Sequence, residues 1–81
     1  MKEFGENLKK MRLKKKLTQS QLGAMCNPVI ALTNISKYER GVINPSFDRL
    51  VIFKEALNCS YDDLFAGATS EIKEEVNENN T

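Results

Sequence analysis

The sequence predicts an all-α protein, a compact bundle of five helices in a chain of 81 residues. Two observations support this fold class. Apolar residues recur at intervals of three and four, the spacing that places them on one face of a helix. Residues that commonly begin or end helices, such as Ser, Thr, Asn and Gly, stand at the borders of these segments. A chain of this length buries roughly 60–65% of the surface that it exposes when unfolded, enough for one small helical core.

The first predicted helix spans residues 2–16 and has Phe4, Leu8 and Met11 along its apolar face. Arg12 lies beside that face, where its charge needs a partner. The remaining surface of the helix carries five lysines: Lys9, Lys10, Lys14, Lys15 and Lys16. They form either an ordinary solvated surface or a positive field that attracts a polyanion.

Residues 17–41 predict two short helices joined by a turn. Thr18 is expected to cap the first of them, with Gln21 completing a capping box. The pair Asn27-Pro28 ends that helix, because proline has no N–H with which to continue it. The second helix is expected to stop at Gly41, since glycine readily accepts the left-handed conformation of a helix end.

The second of these helices has a polar outward face. At about 100° per residue, Ile35 and Tyr38 point inward. The side chains on the opposite side and its flank are Thr33, Asn34, Ser36, Lys37 and Arg40. Hydroxyls, amides and cations are the groups that read base edges and bind phosphates. Taken alone, this helix is more typical of an ordinary solvated face, and its sequence context is what favours DNA binding.

The last two predicted helices follow a proline-containing loop. Ser46 is expected to cap the fourth helix, which Asn58 ends. The predicted inward residues of the fourth helix are Phe47, Leu50, Phe53 and Leu57. Ser60 is expected to cap a short fifth helix that runs to Phe65, with Asp62 and Asp63 in its first turn.

Composition excludes several classes of function. The chain has no histidine, and Cys26 and Cys59 do not form a CxxC pair. We expect both cysteines to be reduced core residues of a cytoplasmic protein, rather than a disulfide or a zinc site. The sequence has no apolar run long enough for a membrane span. We expect no signal peptide, because residues 1–16 are charged throughout. Because no catalytic constellation, metal site or cofactor site can be named, we expect no enzyme activity.

The charge divides the chain in two. Residues 1–67 hold 11 Lys and Arg against 7 Asp and Glu, whereas residues 68–81 hold one against four. We predict a basic domain over 1–67 and an acidic, mostly disordered tail over 68–81. Ile72 and Val76 are the large apolar residues of that tail.

From about Phe4 to Phe65 the sequence resembles the phage-repressor and Cro-like helix-turn-helix family, also called XRE-type. The resemblance rests on Leu17-Thr18-Gln19, Leu22-Gly23, Ile35 to Gly41 (ISKYERG), Asn44-Pro45-Ser46 and Ala56 to Phe65. It implies a repressor-like five-helix domain that binds double-stranded DNA, with the helix ending at Gly41 in the major groove. It also implies an internal ion pair between Arg12 and Glu39.

The resemblance further implies roles for individual residues. It assigns contact with base edges to Leu32, Thr33, Ser36 and Lys37. It assigns phosphate contact, or support of base readout, to Thr18 and Gln19. Together with Asn34 and Arg40, these residues are the predicted DNA-binding set.

The same family implies a cytoplasmic homodimer that represses a promoter near its own gene. Val42, Ile43 and Ile52 stand where polar residues are common in the family. They form either a patch for the two-fold contact or scattered surface residues.

Three positions depart from the family pattern. Pro28 and Val29 look inserted, so the recognition helix either starts early at Pro28, with Asn27 as its cap, or follows a bulged turn. Leu32 occupies a usually polar position, where it either contacts a thymine methyl group or is buried. Lys54 stands where the family has a small buried residue.

Two other classes of function stay open from the sequence. The chain is alternatively an antitoxin or another partner-binding module, in which the acidic tail wraps a basic protein and DNA binding is secondary. A purely structural helical adaptor would require the exposed polar face to be incidental. A small basic toxin encoded by the adjacent reading frame would favour the partner-binding alternative.

Overall fold

The computed structural model describes residues 2–66, which form five α-helices and, within that range, no strand. The helices are α1 (Lys2–Lys14), α2 (Gln19–Met25), α3 (Leu32–Glu39), α4 (Phe47–Leu57) and α5 (Tyr61–Phe65). Helix α1 packs against α3 and α5, α2 packs against α3 and α4, and α4 packs against α5. The predicted all-α fold of five helices is confirmed.

One apolar core joins the five helices. Its fully buried side chains are Phe4, Leu8, Leu22, Ile35, Phe53, Leu57 and Leu64. The ring of Phe53 lies at the centre, with ring centroids 5.9 Å from Phe4 and 5.3 Å from Tyr38. Each helix therefore contributes at least one side chain to a shared interior, which fixes the helices relative to one another.

The two cysteines are free thiols in or beside this core. Cys26 is buried, and Cys59 is half-buried. Burial raises the pKa of the Cys26 thiol, and burial together with the nearby Asp63 carboxylate raises the pKa of Cys59. Both residues therefore act as small apolar side chains at neutral pH rather than as reactive thiolates.

The predicted N-terminal caps of three helices are present. Thr18 and Gln21 form the reciprocal capping box at the start of α2. Ser46 accepts from the backbone N–H of Arg49 at 3.2 Å. Ser60 begins α5 in the same way as Thr18 begins α2, with a capping box of its own. These bonds satisfy backbone donors that a helix leaves free in its first turn.

Helix α1 ends earlier than predicted. It stops at Lys14 instead of continuing to residue 16, because Lys16 adopts a left-handed conformation with φ of 59°. The N–H of Leu17 donates to the carbonyl of Arg12, and the N–H of Lys16 donates to that of Leu13. This is a Schellman ending, which turns the chain sharply toward α2. Gly41 and Asn58, both with positive φ, end α3 and α4 with the same pattern of bonds, as their sequence positions predict.

The turn between α2 and α3 bulges, and the alternative prediction that α3 starts early at Pro28 is wrong. Helix α3 begins at Leu32. The N–H groups of Cys26 and Ile30 both donate to the carbonyl of Gly23, and the Ile30 side chain is buried. Residues 27–29 therefore form a loop that leads to the buried Ile30, and α3 starts only after this residue. The Asn27–Pro28 peptide bond within this loop is cis.

Phe47 is 73% exposed, so its predicted place on the inward face of α4 is wrong. Phe53 and Leu57 are fully buried, and Leu50 is partly buried. Two residues three apart on a helix point in directions that differ by about 60°. Phe47 is six residues before Phe53, so the two side chains point about 120° apart. This exceeds the width of the apolar stripe, and Phe47 also lies at the helix end where the chain leaves the core.

The predicted tail of residues 68–81 lies outside the described residues, so its predicted disorder is not tested. No helix within residues 2–66 is long and apolar enough to cross a membrane.

Candidate nucleic-acid interface

Arg12 joins the elements that present the polar face of α3. Its Nε–H donates to Oε2 of Glu39 at 2.6 Å, and its Nη2–H donates to Oε1 of the same carboxylate at 3.1 Å. Its Nη1–H donates to the carbonyl of Leu17 at 2.7 Å. Both members of the pair are buried. One guanidinium therefore links α1 to the start of α2 and the end of α3, as the family resemblance implied for Arg12 and Glu39.

Two further contacts set the position of α3 against α2. The side-chain amide of Gln19, the first residue of α2, donates to Oε1 of Glu39 at 3.0 Å. At the other end of α2, the backbone of Gly23 lies directly against the carbonyl of Ile30, with no room for a β-carbon. The helix pair is thus held at both ends by polar bonds and close backbone contact.

The outward face of α3 carries no exposed acidic side chain. Thr33, Lys37 and Arg40 are exposed, and Asn34 and Ser36 are half-buried. The Nε–H of Arg40 donates to the Ser36 hydroxyl at 3.2 Å. The single acid of α3 is Glu39, which is buried and paired with Arg12. The face therefore combines hydrogen-bonding groups with positive charge, as a surface that faces DNA requires.

Two predicted DNA-binding residues of α2 have partners within the protein. The hydroxyl of Thr18 accepts from the N–H of Gln21 at 3.0 Å, although Thr18 itself is exposed. The amide nitrogen of Gln19 is engaged by Glu39. Gln19 is therefore placed to support the orientation of α3, and contact of either residue with phosphate stays a prediction.

Leu32 is 48% exposed at the first position of α3, which excludes the alternative that it is buried. Val29, in the bulged turn, is 70% exposed, and Met25 at the end of α2 is exposed as well. The sequence reasoning did not include these two residues in the site. The sequence carried no local signal for the exposure of Val29, because Val29, Ile30 and Ala31 are all apolar.

Positive charge also covers the exposed surface of α1 and the turn that follows it. Exposed lysines of α1 and of the following turn are Lys9, Lys10, Lys14, Lys15 and Lys16. Lys54 is half-buried, and its Nζ lies 5.4 Å from the centre of the Tyr61 ring, where the cation contacts an aromatic face. Among residues 2–66, no group of acidic, cysteine or histidine side chains is arranged to hold a metal ion.

A short helix that presents a polar, cationic face and is locked across a second helix defines a helix-turn-helix DNA-binding domain. A comparison with protein families agrees with this geometry. The family model described as helix-turn-helix matches residues 8–64, and the chain belongs to this family. Its features are those of the XRE type, which includes the Cro and C1 regulators.

Comparison with solved structures supports the same class. The chain is similar to the restriction-modification controller protein C.AhdI from Aeromonas hydrophila, with 28% sequence identity and a TM-score of 0.71. The match covers 79% of this chain and 94% of the C.AhdI chain. No curated protein sequence matches this chain closely enough to count as a relative. The protein is thus a DNA-binding transcriptional regulator of the helix-turn-helix family.

Proposed function

We propose that this protein represses transcription by binding, as a homodimer, a specific operator with two half-sites. Helix α3 would lie in the major groove of each half-site. The observation that supports this proposal best is the position of Thr33 and Lys37, which are exposed and one turn apart on the outward face of α3. Because Arg12 and Gln19 both bind Glu39, these side chains are presented by a helix of fixed orientation.

The proposed contacts follow from position on this helix. Leu32, Thr33, Ser36 and Lys37 are assigned to base edges. Arg40 and Asn34 flank these residues, and Thr18 at the start of α2 is assigned to the phosphate backbone. Direct base contacts discriminate between sequences, whereas phosphate contacts strengthen binding to every duplex.

Selection of bound sequences from a pool of random duplexes, using the full chain, tests the proposal. One sequence class should be enriched. Lys37→Ala should then cost about 1–3 kcal/mol of binding free energy on the enriched sequence and much less on an unrelated duplex. Lys10→Ala in α1 is the matched control, expected to weaken both duplexes equally. If no sequence is enriched, the proposal is wrong; an equal loss for Lys37→Ala would assign that lysine to phosphate.

The proposed dimer is supported by exposed apolar surface at the end of α3. Val42 is 59% exposed, and Ile43 and Ile52 are half-buried and pack on the core. Val42→Asp therefore tests the two-fold contact with less damage to folding than a change at Ile43. It should shift sedimentation toward the monomer and weaken binding to half-sites spaced by about 34 Å. Leu13→Asp, at an exposed apolar residue of α1, is the control. A wild-type monomer with full operator affinity would contradict the dimer.

The regulatory outcome is tested with a reporter gene. C.AhdI is described as a restriction-modification controller protein, and this supports a regulatory role for our protein. The family resemblance implies that the regulated promoter lies near its own gene. We propose repression in the cytoplasm, where the promoter is accessible. Expression of the protein should lower output from a reporter driven by the promoter upstream of its gene, and Lys37→Ala should restore it. A rise in output would make the protein an activator.

A further inference from the structure

Exposed apolar residues adjoin the polar face of α3. Val29 is 70% exposed and Leu32 is 48% exposed. Their exposure has a geometric cause. Ile30 is buried and its backbone is bound to Gly23, so Val29 on the other side of the extended segment must point outward.

Leu32 lies on the side of α3 that continues into the DNA-binding face. It is the first residue of the helix and immediately precedes the exposed Thr33; Ser36 lies one turn further along the same side. The first turn of α3 contains no acidic residue that would repel DNA. In a helix-turn-helix domain, the N-terminal residues of the recognition helix are the ones that contact base edges.

The major groove offers one apolar group to such a side chain, the 5-methyl group of thymine. We propose that Leu32 packs against a thymine methyl group, so that the preferred duplex has thymine opposite the first turn of α3. Val29 borders the same contact. This inference rests on the proposed function, since it specifies what the same interface recognises. The proposed contact explains why an apolar leucine, and not a polar residue, stands at this exposed position.

Replacing thymine by deoxyuridine tests the inference, because this removes the methyl group and leaves base pairing intact. The probe is the duplex that the full chain enriches from a random pool, with each thymine replaced in turn. Burial of one methyl group corresponds to about a fourfold change in Kd. Each half-site should therefore contain one thymine whose single replacement raises Kd about fourfold. Replacements outside the contacted bases should leave Kd unchanged.

The protein side of the test uses Leu32→Ala. This variant should bind the thymine and deoxyuridine duplexes with nearly equal Kd. The matched control is Leu13→Ala in α1, where the leucine is similarly exposed at 54%; this variant should keep the fourfold preference. Thermal unfolding of both variants verifies that they are folded, and the deoxyuridine series on the unaltered protein does not depend on any variant.

Several results would overturn the inference while the proposed function stands. One is an enriched duplex for which no deoxyuridine replacement changes Kd. Another is a preference for thymine that persists in Leu32→Ala, which would assign the methyl contact to a different residue. A third is a shift to monomer in sedimentation of Leu32→Ala with its thymine preference intact, which would show that a second copy of the chain covers Leu32. If no sequence is enriched, the proposed function fails and the inference fails with it.

Discussion

At the scale of single residues, Arg12 joins α1 to the start of α2 and to the end of α3 through one side chain. Two nitrogens of its guanidinium, Nε and Nη2, donate to the Glu39 carboxylate, and the third, Nη1, donates to the carbonyl of Leu17. A buried ion pair adds little net stability compared with apolar packing, because both charges lose their water. Its effect here is geometric, since a planar guanidinium that binds a carboxylate through two bonds fixes direction as well as distance.

Arg12→Ala leaves the Glu39 carboxylate buried with only Gln19 as a side-chain partner. The free energy of unfolding should fall by about 3–5 kcal/mol, as measured by urea denaturation. The matched control is Arg40→Ala, at an exposed arginine, which should change stability by less than about 0.5 kcal/mol. In a double-mutant cycle with Glu39→Gln, the two changes should be strongly non-additive. Additive effects would exclude energetic coupling between the two residues.

At the scale of elements, the contact of α2 with the following turn depends on Gly23. Its missing β-carbon lets the Ile30 carbonyl approach the helix, and that carbonyl is backbone, which cannot rotate away as a side chain does. In an open position, Gly→Ala would stabilise a helix by about 1 kcal/mol. The steric conflict at this position opposes that gain.

Gly23→Ala should therefore lower stability by about 1–3 kcal/mol, the usual cost of overpacking. It should also weaken operator binding, because the turn that positions α3 has to move. Ser20→Ala, at an exposed position of α2, is the control and should leave both properties nearly unchanged. A Gly23→Ala variant that is more stable than the parent would show that the turn relaxes without cost.

The N-terminal cap of α5 is expected to make the stability of the protein depend on pH. The N–H of Ser60 donates to the Asp63 carboxylate, and the Asp63 N–H donates to the Ser60 hydroxyl, both at 3.1 Å. Hydrogen bonds from the backbone and then the side chain of Ser60 hold the pKa of Asp63 below its ordinary value. The stability from this cap is thus present above the ordinary aspartate pKa and is lost as pH falls through the lowered value.

Asp63→Asn should consequently reduce the loss of stability between neutral pH and about pH 3. Urea unfolding at a series of pH values measures this slope. The neighbouring Asp62→Asn is the matched control: it removes the same charge from the same helix turn, and Asp62 makes no capping bond in the structure. Identical slopes for the two variants would show that the cap does not couple to protonation.

At the scale of the whole molecule, the end of the described chain is fixed to α1. The side-chain amide of Asn7 is buried and donates to the carbonyls of Leu64 and Ala66, at 3.0 and 2.6 Å. Ala66 lies with Lys9 and Lys10 along one groove. The described chain therefore ends at Ala66, in a groove that is lined by Glu3 and Glu6 as well as by these two lysines. We propose that the acidic segment 68–81 competes with DNA for the basic surface.

Deletion of residues 68–81 should accordingly raise the affinity for any duplex at low salt. The difference should shrink as salt is added, because exposed charges are screened beyond about 10 Å at 0.1 M. A full-length variant with Glu71, Glu74, Glu75 and Glu78 changed to Gln is the control for loss of length, and it should behave like the deletion. If Ile72 and Val76 instead pack on a second subunit, the deleted protein would bind more weakly at both salt concentrations.

The sequence by itself determined the features that depend on neighbours along the chain. The five helices, the caps at Thr18, Ser46 and Ser60, and the left-handed ends at Gly41 and Asn58 rest on bonds between residues at most five apart. The polar face of α3 follows from the same periodicity. The predicted DNA-binding residues of this face are still predictions, because the structure shows their exposure and not their contacts with DNA.

Only the tertiary structure decided where other elements cover a side chain or bind its polar group. Phe47 lies outside the core although its spacing to Leu50 predicts an inward position, because packing sets how wide a stripe of α4 is buried. The start of α3 at Leu32 depends on Ile30 reaching Gly23 across the turn. The bond from Gln19 to Glu39 joins residues twenty positions apart. Such contacts depend on how helices pack, and the local sequence rules that predict helices contain no information on packing.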